Sequence, residues 1–599
     1  VSRKSLTARR AYAGMSADQA ALAHHEHQQI LRVLAGLLMA LFVAMLANTV
    51  VANALPVIIG EIGGTQQQYT WIITAAILAS TAVTPIAGKL ADLMDKKKLL
   101  LGAMGVFTLG SLLSGAAASA GMLIAVRVVQ GLGMGALQVL VQIIIATIIP
   151  PRQRGRYNGY VGAVIAVATV SGPLLGGVIV DVSWLGWRWC YWSAVPFMLI
   201  AMGVVTRYLH VPGKGRADAK VDWLGAALIS LAATLLLVWV SFADHEFPWV
   251  SWQTAVMVGC AVLAAVAFVL VERRVDEPVV PLYILSERTT ALAIVASLAV
   301  GTVLFGANVF LGQYFQIGRG YSPTIAGWLG LPLMLGLLIS STVAGKLVTA
   351  SGRWKPYVVG GVGLLALGMG LMTTVRGDTS LGLIGVYLFV AGIGLGAAMQ
   401  NLVLAVQNTV AIGNVGAATS SVTFFRTLGG AMGIQLLGAL YTHRVTSLTA
   451  SRLARQGIDT GGLDTSTGTL DLTQMPPAVA AVIRGAYGDG IGLVFAVAAG
   501  FAVVGLVAVL FMKGSELRGT WQPAAQTHDV LSEDHDDGPA GAATGPTGVG
   551  VGTTEPSRSD GGGDTRSAAG AAVADAGRAP DGQVPHPAPG SVPPPRTRR

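Results

Sequence analysis

The sequence predicts an all-α polytopic membrane protein of 14 transmembrane helices, built as two six-helix halves with two further helices inserted between them. Three observations carry this expectation. The 599 residues are 53% hydrophobic and only 12% charged, against about 25% charge in soluble domains; mean hydropathy is +0.63. Apolar runs of about 20 residues, enough helix to cross about 30 Å of hydrocarbon, recur along the chain. Basic residues are dense in every second gap between those runs, the pattern that orients a polytopic chain.

Taken in order, the runs fall at 33–58, 70–88, 99–119, 122–149, 157–180, 190–209, 223–242, 253–271, 290–315, 324–349, 357–375, 381–405, 416–441 and 489–512. Hydrocarbon leaves unpaired backbone polar groups costly, so runs this long are helices. The alternating pattern of a membrane barrel is absent. The basic gaps hold Arg3, Lys4, Arg9, Arg10 and Arg32, then Lys96–Lys98, then Arg152, Arg154 and Arg156. Next come Arg207, Lys214, Arg216 and Lys220, then Arg273, Arg274 and Arg288, then Arg353 and Lys355. The positive-inside rule then places both termini in the cytoplasm. The gap around Gly413–Gly416 has no charge, so the rule is silent there.

The expected organisation is a leader at 1–32, an N-terminal half at 33–209, a linker with two inserted helices at 210–289, and a C-terminal half at 290–512. The leader is too long and polar for a cleaved signal peptide. Residues 442–488 form the longest external loop, with an amphipathic helix near Pro477–Tyr487. Residues 513–599 form a cytoplasmic tail; from Gly514 onward it lacks Phe and Ile, so it has nothing to build a core and is expected to be disordered.

The halves echo one another. Gly88-Lys-Leu-Ala-Asp92 returns as Gly345-Lys-Leu-Val-Thr349, 257 residues on. Gly131-Leu-Gly-Met-Gly135 returns as Gly392-Ile-Gly-Leu-Gly396 after 261, and Gly172 aligns with Gly429 after 257. Parallel six-helix repeats with a central site between them are a transporter plan.

Composition excludes other classes. Cys190 and Cys260 are too few for a disulfide framework or a cysteine metal cluster. The net charge of +9 reflects loop asymmetry, so no nucleic-acid partner is expected. No phosphate-binding G-x-x-x-x-G-K-[ST] loop and no H-E-x-x-H metal site is present. His24, His25 and His27 read as a solvated cluster in the leader. No enzyme chemistry, metal or cofactor is expected. Gly131-x-Gly133 follows no strand, so it is helix packing and not a dinucleotide fingerprint.

Four segments resemble motifs of the major facilitator superfamily, in particular its 14-span drug:proton antiporter family, over about residues 33–512. Gly88-Lys-Leu-Ala-Asp-Leu-Met-Asp-Lys-Lys-Lys98 is similar to the loop 2–3 motif, with Asp95 where glycine is usual. Arg127-Val-Val-Gln-Gly-Leu-Gly133 is similar to the span-four motif. Gly172-Pro-Leu-Leu-Gly-Gly177 is similar to the span-five antiporter motif. Leu46-Ala-Asn-Thr-Val-Val-Ala-Asn-Ala-Leu-Pro56 is similar to the span-one motif, with Ala47 where aspartate is usual.

The resemblance implies a conformational latch at Gly88, Lys89, Asp92 and Lys96, with Asp92 pairing with the basic run or accepting from a neighbouring helix N-terminus. Proton coupling or gating is expected at Arg127, Gln130 and Arg426. The resemblance makes Gly172, Pro173, Gly176 and Gly177 the antiporter motif, with Pro173 kinking span five and the glycines admitting the opposing half. A charge inside a span costs at least about 2.5–3.5 kcal/mol on insertion scales, so Arg127 and Arg426 are functional by default. Asn48, Asn53, Gln138, Gln142, Asn308, Gln313, Asn401 and Gln407 are candidates to line the cavity or to bond between helices. Glu61, Asp181, Asp222 and Glu272 lie at span ends, and no acid sits deep in a span.

Two deep cations without a deep acid favour neutral, zwitterionic or acidic amphiphiles over permanent cations. The resulting expectation is a monomeric exporter in the cytoplasmic membrane, driving a drug or antibiotic outward by alternating access on the proton gradient. The proton would then use Asp92, Glu61 or another end-of-span acid. A lipid exporter, an importer or an uncoupled facilitator of the same fold are the alternatives.

Overall fold

The structure, a computed structural model, describes residues 17–64, 66–182, 185–211, 222–243, 247–275, 277–456 and 476–517. The expected tail from 518, the middle of the expected outer loop (457–475) and the leader up to residue 16 lie outside the described residues.

Helices occupy all fourteen expected places. They are α1 (Ala17–Glu61), α2 (Gln66–Leu93), α3 (Lys96–Gly115), α4 (Ala120–Ile148) and α5 (Pro151–Asp181). After them come α6 (Trp189–Tyr208), α7 (Trp223–Phe242) and α8 (Trp252–Glu272). The second half comprises α9 (Arg288–Gln313), α10 (Leu331–Ser351), α11 (Lys355–Met372), α12 (Leu381–Thr409), α13 (Val415–Arg455) and α14 (Pro477–Phe511).

Among the described residues, twelve helices are long and apolar enough to cross a membrane, not the fourteen expected. α5 and α13 are the other two. Both are long enough; Thr419, Ser420, Ser421, Thr423 and Arg426 dilute α13, whereas residues 163–180 of α5 are apolar and uncharged but their side chains are not all among the described ones. Both helices pack across to the opposite half.

Within the first half α4 packs on α2 and α3, and α1 on α5 and α6. The second half repeats this: α12 packs on α10 and α11, and α9 on α13 and α14. Each half has its own large apolar cluster, one around Leu37, Leu41, Phe107 and Leu140, the other around Tyr314, Val362, Leu395 and Phe495. The halves meet chiefly through α2 against α13 and α5 against α10. The inserted helices α7 and α8 pack on each other, and α7 rests on α2 and α13.

The repeat extends to side chains. Lys97, at the start of α3, donates to the Thr206 carbonyl at the end of α6 (2.8 Å). Lys355, at the start of α11, donates to the Met512 carbonyl at the end of α14 (2.5 Å). Each lysine satisfies a helix C-terminus, which leaves carbonyls unpaired and carries partial negative charge.

Two expectations about local structure are corrected. The outer loop does not begin at 442, since α13 continues to Arg455. Residues 477–487 are not a separate amphipathic helix but the first turns of α14. Leu453 packs against Val479 and Val482, giving these extensions their own apolar contact. Arg452 pairs with Asp489 at 2.5 Å, and the Tyr441 hydroxyl donates to the Tyr487 carbonyl at 2.7 Å. α5 runs helical through Pro173, from Pro151 to Asp181.

Candidate functional site

At the end of the bundle where the basic gaps lie, Asp92 closes α2 onto α13. Its Oδ1 accepts from the Gly416 N–H and its Oδ2 from the Ala417 N–H, each at 2.9 Å. These are first-turn amides of α13, which have no partner in their own helix. A carboxylate there satisfies two donors and meets the positive end of the helix dipole. Of the two partners the sequence offered Asp92, the structure selects the helix N-terminus rather than Lys96. Gly88 makes the approach possible, since a Cβ there would overlap the Ser420 side chain and lie 2.8 Å from the Gly416 carbonyl. Asp95, where glycine is usual, caps α3 by accepting from Lys97 N–H at 2.8 Å and Lys98 N–H at 3.3 Å.

Lys89 points elsewhere. It pairs with Glu277, after α8, at 2.8 Å. Next to it Glu272 accepts from the Val279 and Val280 amides (3.0 and 3.2 Å). Asp222 caps α7 by accepting from Gly225 N–H at 2.8 Å. A Cβ on Gly225 would touch both the Asp222 and Glu272 carboxylates, so the two acids are neighbours. Asp222 Oδ2 and Glu272 Oε2 are buried with no hydrogen-bond partner. The motif lysine therefore ties the inserted helices to α2.

The second interface between halves was not expected from the motifs. Arg156 N–H, in the first turns of α5, donates to Thr349 Oγ1 on α10 at 3.0 Å. Gly155 and Gly345 meet backbone to backbone, and Gly159 lies against the Ser341 carbonyl. The spacing of Gly155, Gly159 and Gly162 carries the sequence signal, a stripe of small residues along one helix face. Arg154 is fully buried and caps α4, donating to the Ala146 carbonyl (2.5 Å) and the Ile149 carbonyl (2.9 Å).

Gly172 does not admit the opposing half. A Cβ there would overlap Thr49 of α1, within the same half. Thr49 already bonds the Ala168 carbonyl of α5 at 3.2 Å, so α1 and α5 are drawn together at that level. Gly176 is buried in α5; the side chains at Pro173, Gly177, Asp181 and Asn53 lie outside the described residues.

Arg127 is 2% exposed and turned inward. Its Nε donates to the Ile72 carbonyl (3.2 Å), one Nη to Gln130 Oε1 (2.7 Å) and the other to Asn48 Oδ1 (3.3 Å). Gln130 in turn donates to Ser111 at 2.8 Å. Helices α1, α2 and α4 supply these three oxygens, with α3 behind Gln130, and none of the three is a carboxylate oxygen. Ala47 is buried one residue before Asn48, so an amide oxygen serves near the place of the usual aspartate.

Arg426 is also 2% exposed, but both of its Nη atoms lack a hydrogen-bond partner. The two deep arginines are thus differently provided for. The amides are mostly committed locally. Asn308 donates to the Leu304 carbonyl (2.7 Å) and Asn401 to the Ala397 carbonyl (2.8 Å), each in its own helix. Gln407 bridges to Thr419 of α13 at 3.0 Å. Gln138 and Gln313 are half-buried. Gln142 and Gln400 are buried with their amide atoms unpaired. At the opposite end of the second half, a cavity of about 650 Å³ is lined by Arg376, Asp378, Arg444, Arg452, Arg484 and Asp489, among others. No cluster of three or more metal-ligating side chains is present among the described residues.

Residues 37–434 match the Major Facilitator Superfamily. The chain belongs to that superfamily. It is a transporter and not an enzyme. An uncharacterized MFS-type transporter of Mycobacterium tuberculosis is 37% identical over 485 residues, covering 80% of this chain and 69% of that one. The multidrug transporter protein MdtP of Bacillus subtilis is 31% identical over 512 residues, covering 81% of this chain and 93% of that one. The fold is similar to the human organic anion transporter MFSD10, with a TM-score of 0.52 and 13% identity, over 80% of this chain and 99% of that one. It is equally similar to the proton:xylose symporter XylE, at TM-score 0.52 and 14% identity.

Proposed function

We propose that this transporter is a 14-span exporter that moves a small amphiphilic drug or antibiotic out of the cell by alternating access, in exchange for protons. The carrying observation is the double closure at the basic end, where Asp92 caps α13 and Thr349 takes the Arg156 amide of α5. With the termini cytoplasmic, as the positive-inside rule requires, this is a conformation sealed toward the cytoplasm. A capped helix N-terminus can be uncapped, so the seal is a two-state element of the kind alternating access needs. Curated relatives named as multidrug transporters and efflux pumps support the export direction. α5 and α13 complete the 14 spans as the two helices that cross to the opposite half.

The buried arginines support an acidic or zwitterionic amphiphile over a permanent cation. Asp92 is engaged by α13 and Glu61 is exposed; among the described end-of-span acids we assign Asp222 and Glu272 as the proton carriers. They adjoin one another and each keeps an unpartnered oxygen; two carboxyls in contact favour sharing one proton. The test is transport in everted vesicles with fluorescent amphiphiles of each charge type. An acidic lumen should accelerate uptake of the anionic probe, and Glu272→Gln should remove the acceleration. Uptake indifferent to the gradient would refute antiport, and robust uptake of a quaternary ammonium dye alone would refute the substrate class.

A further inference from the structure

We infer that Arg426, with Ser297 and Thr423, is the binding site for the acidic group of the transported molecule. This deepens the substrate class proposed above and rests on it.

The argument begins with what Arg426 lacks. A guanidinium stays protonated in proteins and offers five N–H donors. Burying it unpaired is strongly unfavourable, because no water or counter-charge replaces its hydration. Arg127 meets that demand with three oxygens from α1, α2 and α4. Arg426, equally buried at 2% exposure, leaves both Nη atoms without a partner. The ion pairs described are Lys89–Glu277, Arg353–Glu516 and Arg452–Asp489, and none involves it.

Its surroundings are built for a polar guest. α9 and α13 touch at this level, since a Cβ on Gly301 would overlap the Arg426 carbonyl. Ser297 lies one helical turn before Gly301, on the same face of α9. Thr423 lies three residues before Arg426, on the same face of α13. Ser297 and Thr423 are each 1% exposed, and their hydroxyl oxygens also lack partners. Three buried donor side chains, on two helices and within about a turn of their contact, therefore have nothing to bond. A carboxylate, sulfonate or phosphate answers all of them: two oxygens take the planar guanidinium fork and the remaining capacity accepts from the hydroxyls. The assignment separates the two deep arginines, Arg127 being a brace between helices and Arg426 the receptor.

The test uses the full chain in lipid nanodiscs. The probes are 1-anilinonaphthalene-8-sulfonate and N-phenyl-1-naphthylamine, the same ring system with and without an acidic group. Saturable fluorescence is measured against empty nanodiscs. The native chain should bind the sulfonate at least tenfold more tightly than the neutral probe. Arg426→Gln should abolish that preference while neutral-probe affinity stays within about twofold. Arg426→Lys should keep part of it, and Ser297→Ala with Thr423→Val should weaken the sulfonate several-fold. A preference that survives Arg426→Gln, or a native chain with none, would overturn the assignment. If Arg426→Gln does not fold, the Ser297→Ala and Thr423→Val pair decides, and an unchanged preference there overturns it. Binding without transport would leave the site standing and remove the export reading. Transport of the sulfonate that is indifferent to Arg426 would do the reverse.

Discussion

The two seals at the basic end are built on one plan with one difference. On one side Gly88 brings α2 onto the start of α13, and Asp92 takes two amides there. On the other, Gly345 brings α10 onto the start of α5, and Thr349 takes one amide. Gly345 and Thr349 are the repeat partners of Gly88 and Asp92, each 257 residues on. The geometry is shared and the charge is not. A carboxylate meets both free amides and the helix dipole, whereas a hydroxyl offers one neutral bond. We propose a division of labour on this difference: the α2–α13 seal holds the sealed state, and the α5–α10 seal completes the contact. The charged side also adjoins the inserted helices through Lys89 and Glu277.

The comparison is broken most severely by bulk. Gly345→Leu should force α10 off α5, since a side chain there meets the Gly155 backbone, and overpacking costs about 1–3 kcal/mol. Limited proteolysis or cysteine labelling at the basic end should show it open, and Gly88→Leu should act alike on α2 and α13. Next is Asp92→Ala. Losing a charged cap costs about 0.5–2 kcal/mol, so the ratio of sealed to open states should fall by about two- to thirtyfold, with transport slowed. Thr349→Val should cost less, about 0.5–1.5 kcal/mol for one neutral hydrogen bond, and Thr349→Asp should move the second seal toward the first. The smallest effect is expected from Lys89→Met. One partner of that ion pair is partly exposed, and such pairs contribute about 0–1 kcal/mol; thermal stability should barely change.

Much of this was legible in the chain. Hydropathy placed the apolar helices, twelve of which are long and apolar enough to cross a membrane among the described residues, and the glycine echoes marked the repeat that pairs Asp92 with Thr349. The partner of Asp92 was not legible, because Gly416 lies 324 residues away. The uncharged gap at Gly413–Gly416 now has a reason, since its helix receives its acid from α2. Gly172 misled for a related cause. A glycine announces close approach but not which helix approaches, and here it is α1 rather than the opposing half. Gly155, Gly159 and Gly162 carried the crossing signal in plain spacing, beside arginines that spoke louder. Hydropathy alone also ended span thirteen at 441, whereas paired side chains such as Arg452 and Asp489 carry the helices farther.

The most direct test is a distance across the first seal. Spin labels placed by Met94→Cys and Ile412→Cys sit at positions 50% and 42% exposed, with the exposed Cys260 replaced. The native background should give a dominant short distance at neutral pH. Asp92→Asn should add a longer component, and Thr349→Val should add less of it. An unchanged distribution in Asp92→Asn, or an equal response to Thr349→Val, would contradict the claim that the carboxylate holds the sealed state.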